Sequence, residues 1–199
     1  MSHENARKGI SRVFTAEILC IIAEVCALLM IIPVVGTIIG GVGFTVLSII
    51  AVIVMVVGLN IAGKDNVLLK SAFTLAVIQL ILSVVFGGLF MIPALQDWIG
   101  SLGSIISMVL GLMITHHILY GCAELNPDLR EKADSTWKIY LVVIILDVIV
   151  LAAEIIMAIV GATGVFAVIT IIASLADVVL SIIAYILFIV FLSKAKKAL

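Results

Sequence analysis

Five carboxylates stand inside stretches that are otherwise apolar: Glu17, Glu24, Asp147, Glu154 and Asp177. Glu17 and Glu24 are seven residues apart, as are Asp147 and Glu154. Two helical turns separate each pair, so its members share one face about 10 Å apart along the axis. Glu24, Glu154 and Asp177 fall near the middle of their apolar runs, and no Lys or Arg lies beside them. Close carboxyl groups with no cationic neighbour either hold protons or bind a positive guest in place of the missing counter-charge.

A charge at the bilayer centre costs about 2.5 to 3.5 kcal/mol, so five carboxylates facing lipid would cost on the order of 15 kcal/mol. They are therefore expected to face the bundle interior. Gln79 and Tyr185 could add hydrogen-bonding groups there. In one reading the acids line a site for a proton, a metal cation or a cationic small solute. In the other they are protonated and bridge helices, each contact giving about 0.6 to 2 kcal/mol. Their number and pairing favour the first.

His116 and His117, followed by Cys122, close the fourth apolar run. His and Cys suit zinc, but the spacing matches no established ligand set. They read as interfacial side chains meeting water, with a proton exchange between His117 and Glu17 as the functional alternative. No resident metal, no cofactor and no catalytic residue is assigned. Histidine-glutamate zinc signatures, serine elbows and phosphate-binding glycine loops are missing. Asp147 and Asp177 are the two aspartates that intramembrane proteolysis would need, without a flanking signature, and the chain is not expected to be an enzyme.

Placing these groups requires membrane helices. Of 199 residues, 65% are apolar and 12% charged, against about 45 to 50% and about 25% in soluble domains. Six spans of about 20 residues consume nearly all of that apolar content. The runs lie at 12–33, 36–62, 70–92, 98–121, 138–160 and 165–193. Short Gly- or Pro-bearing joints link them in pairs, and polar segments separate the pairs. The expected fold is all-α integral membrane: one domain over 1–199, with six transmembrane helices as three parallel-repeat helical hairpins, 12–63, 70–121 and 138–193. A cytosolic loop at 122–137 should form a short surface helix, capped by Asn126 with Pro127 at its first position and supported by an Asp128–Lys132 pair.

With six spans, all eleven Lys and Arg residues fall on one side. The positive-inside rule makes that side cytoplasmic, with both termini there and the protein in the cell (inner) membrane. Arg7, Lys8 and Arg12 ahead of the first run resemble a secretory signal, but the run is long and leads into more spans, so it reads as a retained helix. Cys20, Cys26 and Cys122 are too scattered for a disulfide framework. A net charge of −1 does not suggest nucleic acid as a partner.

Internal similarity supports the repeat. Leu47-Ser-Ile-Ile-Ala51 recurs as Leu180-Ser-Ile-Ile-Ala184, and Ile32, Pro33, Ile39, Gly40 and Gly43 recur sixty positions later. An offset of 130 maps Glu17 to Asp147 and Glu24 to Glu154. Small residues at Gly36/Gly40 and at Gly103/Ser107/Gly111/Thr115 are expected to let helices approach closely, with the second and fourth helices forming the inner contacts.

The segment from Asn5 to Leu19, the Leu119-Tyr-Gly-Cys-Ala-Glu124 stretch and Trp137-Lys-Ile-Tyr140 resemble small multi-pass membrane proteins of unassigned function from Gram-positive anaerobes. That resemblance spans the chain and implies no activity. Size and helix number are similar to the substrate-binding subunits of energy-coupling-factor vitamin importers, whose spaced alanines on the first helix have no match here. The expected function is a carrier or binding subunit for a proton, metal cation or cationic solute in the lipid bilayer. The alternative is a non-transporting scaffold that docks a membrane or cytosolic protein partner through the 122–137 loop.

Overall fold

A computed structural model describes residues 3–30, 35–89, 92, 96–160 and 164–199, with the side chains of 35–39, 96–101, 151, 154–160, 164–167 and 169 outside the described set. The described residues form six α-helices and no strand: α1 (Glu4–Leu29), α2 (Val35–Ala62), α3 (Val67–Leu89), α4 (Gln96–Leu125), α5 (Arg130–Val160) and α6 (Gly164–Ala198). A 3₁₀ turn, Pro127–Leu129, precedes α5. Four helices contain stretches long and apolar enough to cross a membrane: Gly40–Ala62, Val67–Leu89, Leu102–Leu125 and Thr170–Ala198. This is a membrane protein. The last 18 residues of α1 hold three charges, Arg12, Glu17 and Glu24, which keep it out of that set. Only 11 to 22% of the residues in these stretches are buried, so most of their side chains are left to meet lipid.

The chain divides into two compact units, Met1–Leu129 with Leu192–Leu199, and Arg130–Phe191. In the first, α1 packs on α2, α2 on α3, and α3 on α4. The α1 register follows from small side chains. Gly9, Ala16 and Ala23, seven residues apart, are all buried, with Ala6, Ile10 and Val13 beside them. A methyl group added at Gly9 would stand 2.5 Å from the Ala62 nitrogen and also strike the Gly58 carbonyl; one at Gly58 would stand 2.8 Å from the Gly9 oxygen. Near the opposite end of the same pair, a methyl at Gly40 would come within 2.6 Å of the Cys26 oxygen. The two backbones touch because no side chains intervene.

Loop side chains tie the polar ends of these helices together. His3, the residue before α1, makes no side-chain cap. Asp65, from the α2–α3 connection, accepts hydrogen bonds from Asn5 Nδ2 and from the Ala6 N–H, both at 2.8 Å, and so caps α1 from another part of the chain. Asn66 Oδ1 accepts from Leu68 N and Leu69 N at the start of α3, while its Nδ2 donates to Glu124 of α4 at 2.9 Å. The bonds from Ala6 N, Leu68 N and Leu69 N satisfy helix-end groups that no backbone partner reaches.

The 122–137 segment departs from expectation. Asn126 does cap, accepting from Asp128 N at 3.0 Å. However, the segment is no separate surface helix: α4 continues to Leu125, and the 3₁₀ turn leads directly into α5. The ion pair on that first stretch of α5 is Arg130–Asp134 at 3.5 Å, and Asp128 forms none with Lys132. The α4 stripe also differs. Gly103 makes ordinary contact with the Phe86 ring, 3.4 Å from a built methyl, and Gly111 has nothing within 4 Å. Gly36 lies outside the described side chains. Among the described residues α2 packs chiefly on α1 and α4 on α3. The tight pairs are thus the two hairpins, α1 with α2 and α3 with α4.

Two outcomes follow. Gly9→Ala should lower stability by about 1 to 3 kcal/mol, since rigid backbone blocks the new methyl, whereas Gly111→Ala should raise it by up to about 1 kcal/mol through helix propensity alone. Denaturant unfolding in detergent checks both. Partial burial pushes the Asp65 carboxyl up, but hydrogen bonds from Asn5 and the Ala6 backbone, with His3 nearby, outweigh it and hold the group below its ordinary 3.8. The stability it supplies is thus complete above that value and is lost as pH falls through the lower folded one. Protection of the Ala6 amide against hydrogen exchange, relative to its intrinsic rate, should fall at low pH in the native chain and should already be low at neutral pH in Asp65→Asn.

Candidate functional site

The Arg130–Phe191 unit contains α5 and most of α6, and its hairpin carries two aspartates, Asp147 and Asp177. Asp147 stands fifteen residues before Ala162 and Asp177 fifteen after it. In an antiparallel hairpin, equal distances from the connection put two residues at the same level. The structure brings their carboxyl groups close enough to feel each other's charge. Both side chains are half-buried. Asp177 Oδ1 is fully buried and has no hydrogen-bond partner among the described residues. Nearer the basic end of α5, Tyr140 meets Phe188 edge to face at 6.3 Å between ring centroids, and Val143 and Ala184 are buried.

No cation balances this pair from its own helices. The Lys and Arg residues of α5 are Arg130, Lys132 and Lys138, and α6 has none before Lys194. Lys138 is nine residues from Asp147, about 13 Å along the axis. Two carboxyl groups this close, with no cationic neighbour, favour sharing a proton or taking up a cation. A pair of this kind can hold a proton or a small cation.

The remaining acids do not join it. Glu24 is exposed on α1, on the side of Val25 and Leu28, which are 54% and 65% exposed. The expectation that every carboxylate faces inward fails here for a physical reason. The Gly9/Ala16/Ala23 stripe takes the packed side of α1, and Glu17 and Glu24, one residue further on, are rotated about 100° away from it. Glu17 is half-buried. The Glu154 side chain lies outside the described residues.

Gln79 is half-buried on α3, where its backbone carbonyl accepts from Ser83 Oγ at 2.8 Å. Tyr185 is half-buried on α6, two turns beyond Asp177. His117 Nδ1 lies 2.6 Å from the Met113 carbonyl, so its ring is held by its own helix. The His116 ring leans on Tyr120 with centroids 4.5 Å apart. Cys122 is fully buried. Among the described residues no three His, Cys, Asp or Glu side chains converge as a metal would require.

Sequence reasoning missed the positioning role of Asp65 and Asn66. The signal was present, since Asp-Asn directly ahead of an apolar run is a helix-start pattern. Comparison with known proteins finds no matching family model, curated protein or solved structure.

If Asp147 and Asp177 form a bonded pair, their mutational effects are not additive. A double-mutant cycle with Asp147→Asn, Asp177→Asn and the double variant should give a coupling of about 0.6 to 1.7 kcal/mol in unfolding experiments. Additive effects would show that the two groups act separately.

Proposed function

We propose that this chain is a six-span membrane carrier or binding subunit that takes a proton or small cation at the Asp147–Asp177 pair. One observation carries the reading: two carboxyl groups lie close together between α5 and α6 with no cationic residue on their stretch of either helix, and one of their oxygens is buried without a partner among the described residues. Such a group is expensive in a bilayer, and a positive guest removes the cost. Relative to the five acids considered from sequence, the site narrows to these two, with Tyr185 on the same helix as an accessory.

The six-span topology joins α1 and α5 to the four apolar helices. In that arrangement all eleven basic residues share one side, which the positive-inside rule makes cytoplasmic, with both termini, in the inner membrane. The tripled hairpin draws support from the recurring Leu-Ser-Ile-Ile-Ala motif. Its alanines, Ala51 and Ala184, are each 1% exposed, while Ile49 and Ile182 are 56% and 54% exposed.

The test is flux in vesicles reconstituted with the purified chain and loaded with a pH-sensitive dye. A cation gradient should drive a proton or cation movement that Asp147→Asn and Asp177→Asn each reduce at least tenfold. Glu24→Gln, on the exposed face of α1, should have a smaller effect. Flux unchanged in both Asp variants rejects the site. A paired aspartate dyad is also the machinery of aspartyl hydrolysis, and cleavage of a membrane-embedded peptide, lost in the same variants without any flux, would favour that chemistry instead.

A further inference from the structure

At the end of the first unit opposite the α1–α2 connection, three distant pieces of chain surround one concavity of about 570 Å³. Arg7, Lys8, Ser11 and Arg12 come from α1, and Lys196 and Lys197 from the end of α6. A volume of this size lies in the range of small-molecule sites, about 300 to 1,000 Å³. Five of the eleven cationic residues in the chain line it. Lys8 is paired with Glu4 at 2.6 Å. Arg7, Arg12 and Lys197 form no ion pair among the described residues.

The cleft is framed by packing of the elements that carry its charges. The Gly9–Gly58 contact lays the first turns of α1 against the end of α2, which contributes Ile61 as an apolar wall. Asn126 Nδ2 donates to the Ala198 carbonyl at 3.1 Å and tethers the end of α6. Lys196 Nζ stands 3.5 Å from the centroid of the Phe14 ring, a cation–π contact that fixes it at the edge of the cavity. Like charges gathered this closely repel one another, and an anion with several oxygens relieves the repulsion while accepting hydrogen bonds from the guanidinium groups and the Ser11 hydroxyl.

We propose that this cleft binds the phosphate of an anionic phospholipid headgroup. Its position selects lipid over a soluble phosphate. Arg12 is followed directly by Val13 and the apolar part of α1, and the apolar stretch of α6 ends one turn before Lys196. The charged groups thus sit at the junction of apolar helix and polar tail, the level of headgroups, with lipid-facing surface below for the acyl chains. Basic pockets between helices at this depth are a recurring form of headgroup recognition. A second, smaller cavity of about 360 Å³ involves Lys64 and Lys70, but two cations do not reproduce the arrangement.

The experiment uses the full chain in nanodiscs of phosphatidylcholine alone or mixed equally with phosphatidylglycerol. Retained lipid is read by native mass spectrometry and thermal unfolding by fluorescence. The native protein should retain phosphatidylglycerol and melt at higher temperature in its presence. Arg12→Gln with Lys197→Gln should weaken retention about 30-fold, at roughly 1 kcal/mol for each charge. Lys132→Gln with Lys138→Gln removes the same charge from the other unit and should leave retention unchanged. Equal losses in the two double variants, or none in the first, overturn the site. Displacement of the lipid by an equal concentration of inorganic phosphate reassigns the cleft to a soluble anion and overturns the lipid proposal. Should the cleft variant fail to fold, a photoactivatable phosphatidylglycerol on the native chain decides the question. Adducts on the first turns of α1 or the end of α6 support the cleft, and adducts confined elsewhere overturn it.

Discussion

The interior of a bilayer solvates neither a charge nor an unpaired backbone group, and nearly every feature of this chain answers that constraint. Among the described residues its backbone is helical along the long apolar stretches. Several helix ends, where backbone groups run out of intrahelical partners, are closed by side chains: Asp65 on α1 from a distant part of the chain, Asn66 on α3 and Asn126 on the turn into α5 as local caps, with Asn126 also on the Ala198 carbonyl of α6. Where acidic side chains enter an apolar helix hairpin, two of them turn toward each other.

Water gives little help in driving membrane helices together, so close fit must do so. In the first unit that fit is supplied by absent side chains. Gly9 and Gly58 let the backbones of α1 and α2 touch, and Ala16 and Ala23 extend the same face. Once this stripe is chosen, the orientation of every other α1 residue follows from the helical period. Arg7, Lys8 and Arg12 are set around a concavity, and Glu24 is set outward. Packing, not the electrostatic preference of the carboxylates, decides where α1 sends its charges.

The two units therefore carry different chemistry. The Met1–Leu129 unit with the end of α6 concentrates its buried side chains and its polar clamps near the basic helix ends, where a cationic cleft results. The Arg130–Phe191 unit has a simpler interior, an aromatic contact and a carboxyl pair along one hairpin. An anionic group can be drawn to the first and a cationic one to the second. Each is a charge left partly uncompensated by the protein itself.

Much of this was legible in the residues alone. Composition and the length of the apolar runs determined the helical membrane class, because the bilayer thickness and backbone hydrogen bonding leave no other solution for such runs. The Asn126-Pro127 cap and the seven-residue spacing of the acids are local properties, and they are present as written. The equal distances of Asp147 and Asp177 from Ala162 even hinted at their meeting. What only the tertiary structure decided was rotation and convergence: which face of α1 packs, that Gly9 meets Gly58, that Arg12 and Lys197 share a cleft, and that the 122–137 segment continues its flanking helices. A helix repeats every 3.6 residues whatever its surroundings. The angle at which it presents its side chains to a neighbour depends on the fit between two surfaces, and a single sequence displays only one of those surfaces at a time.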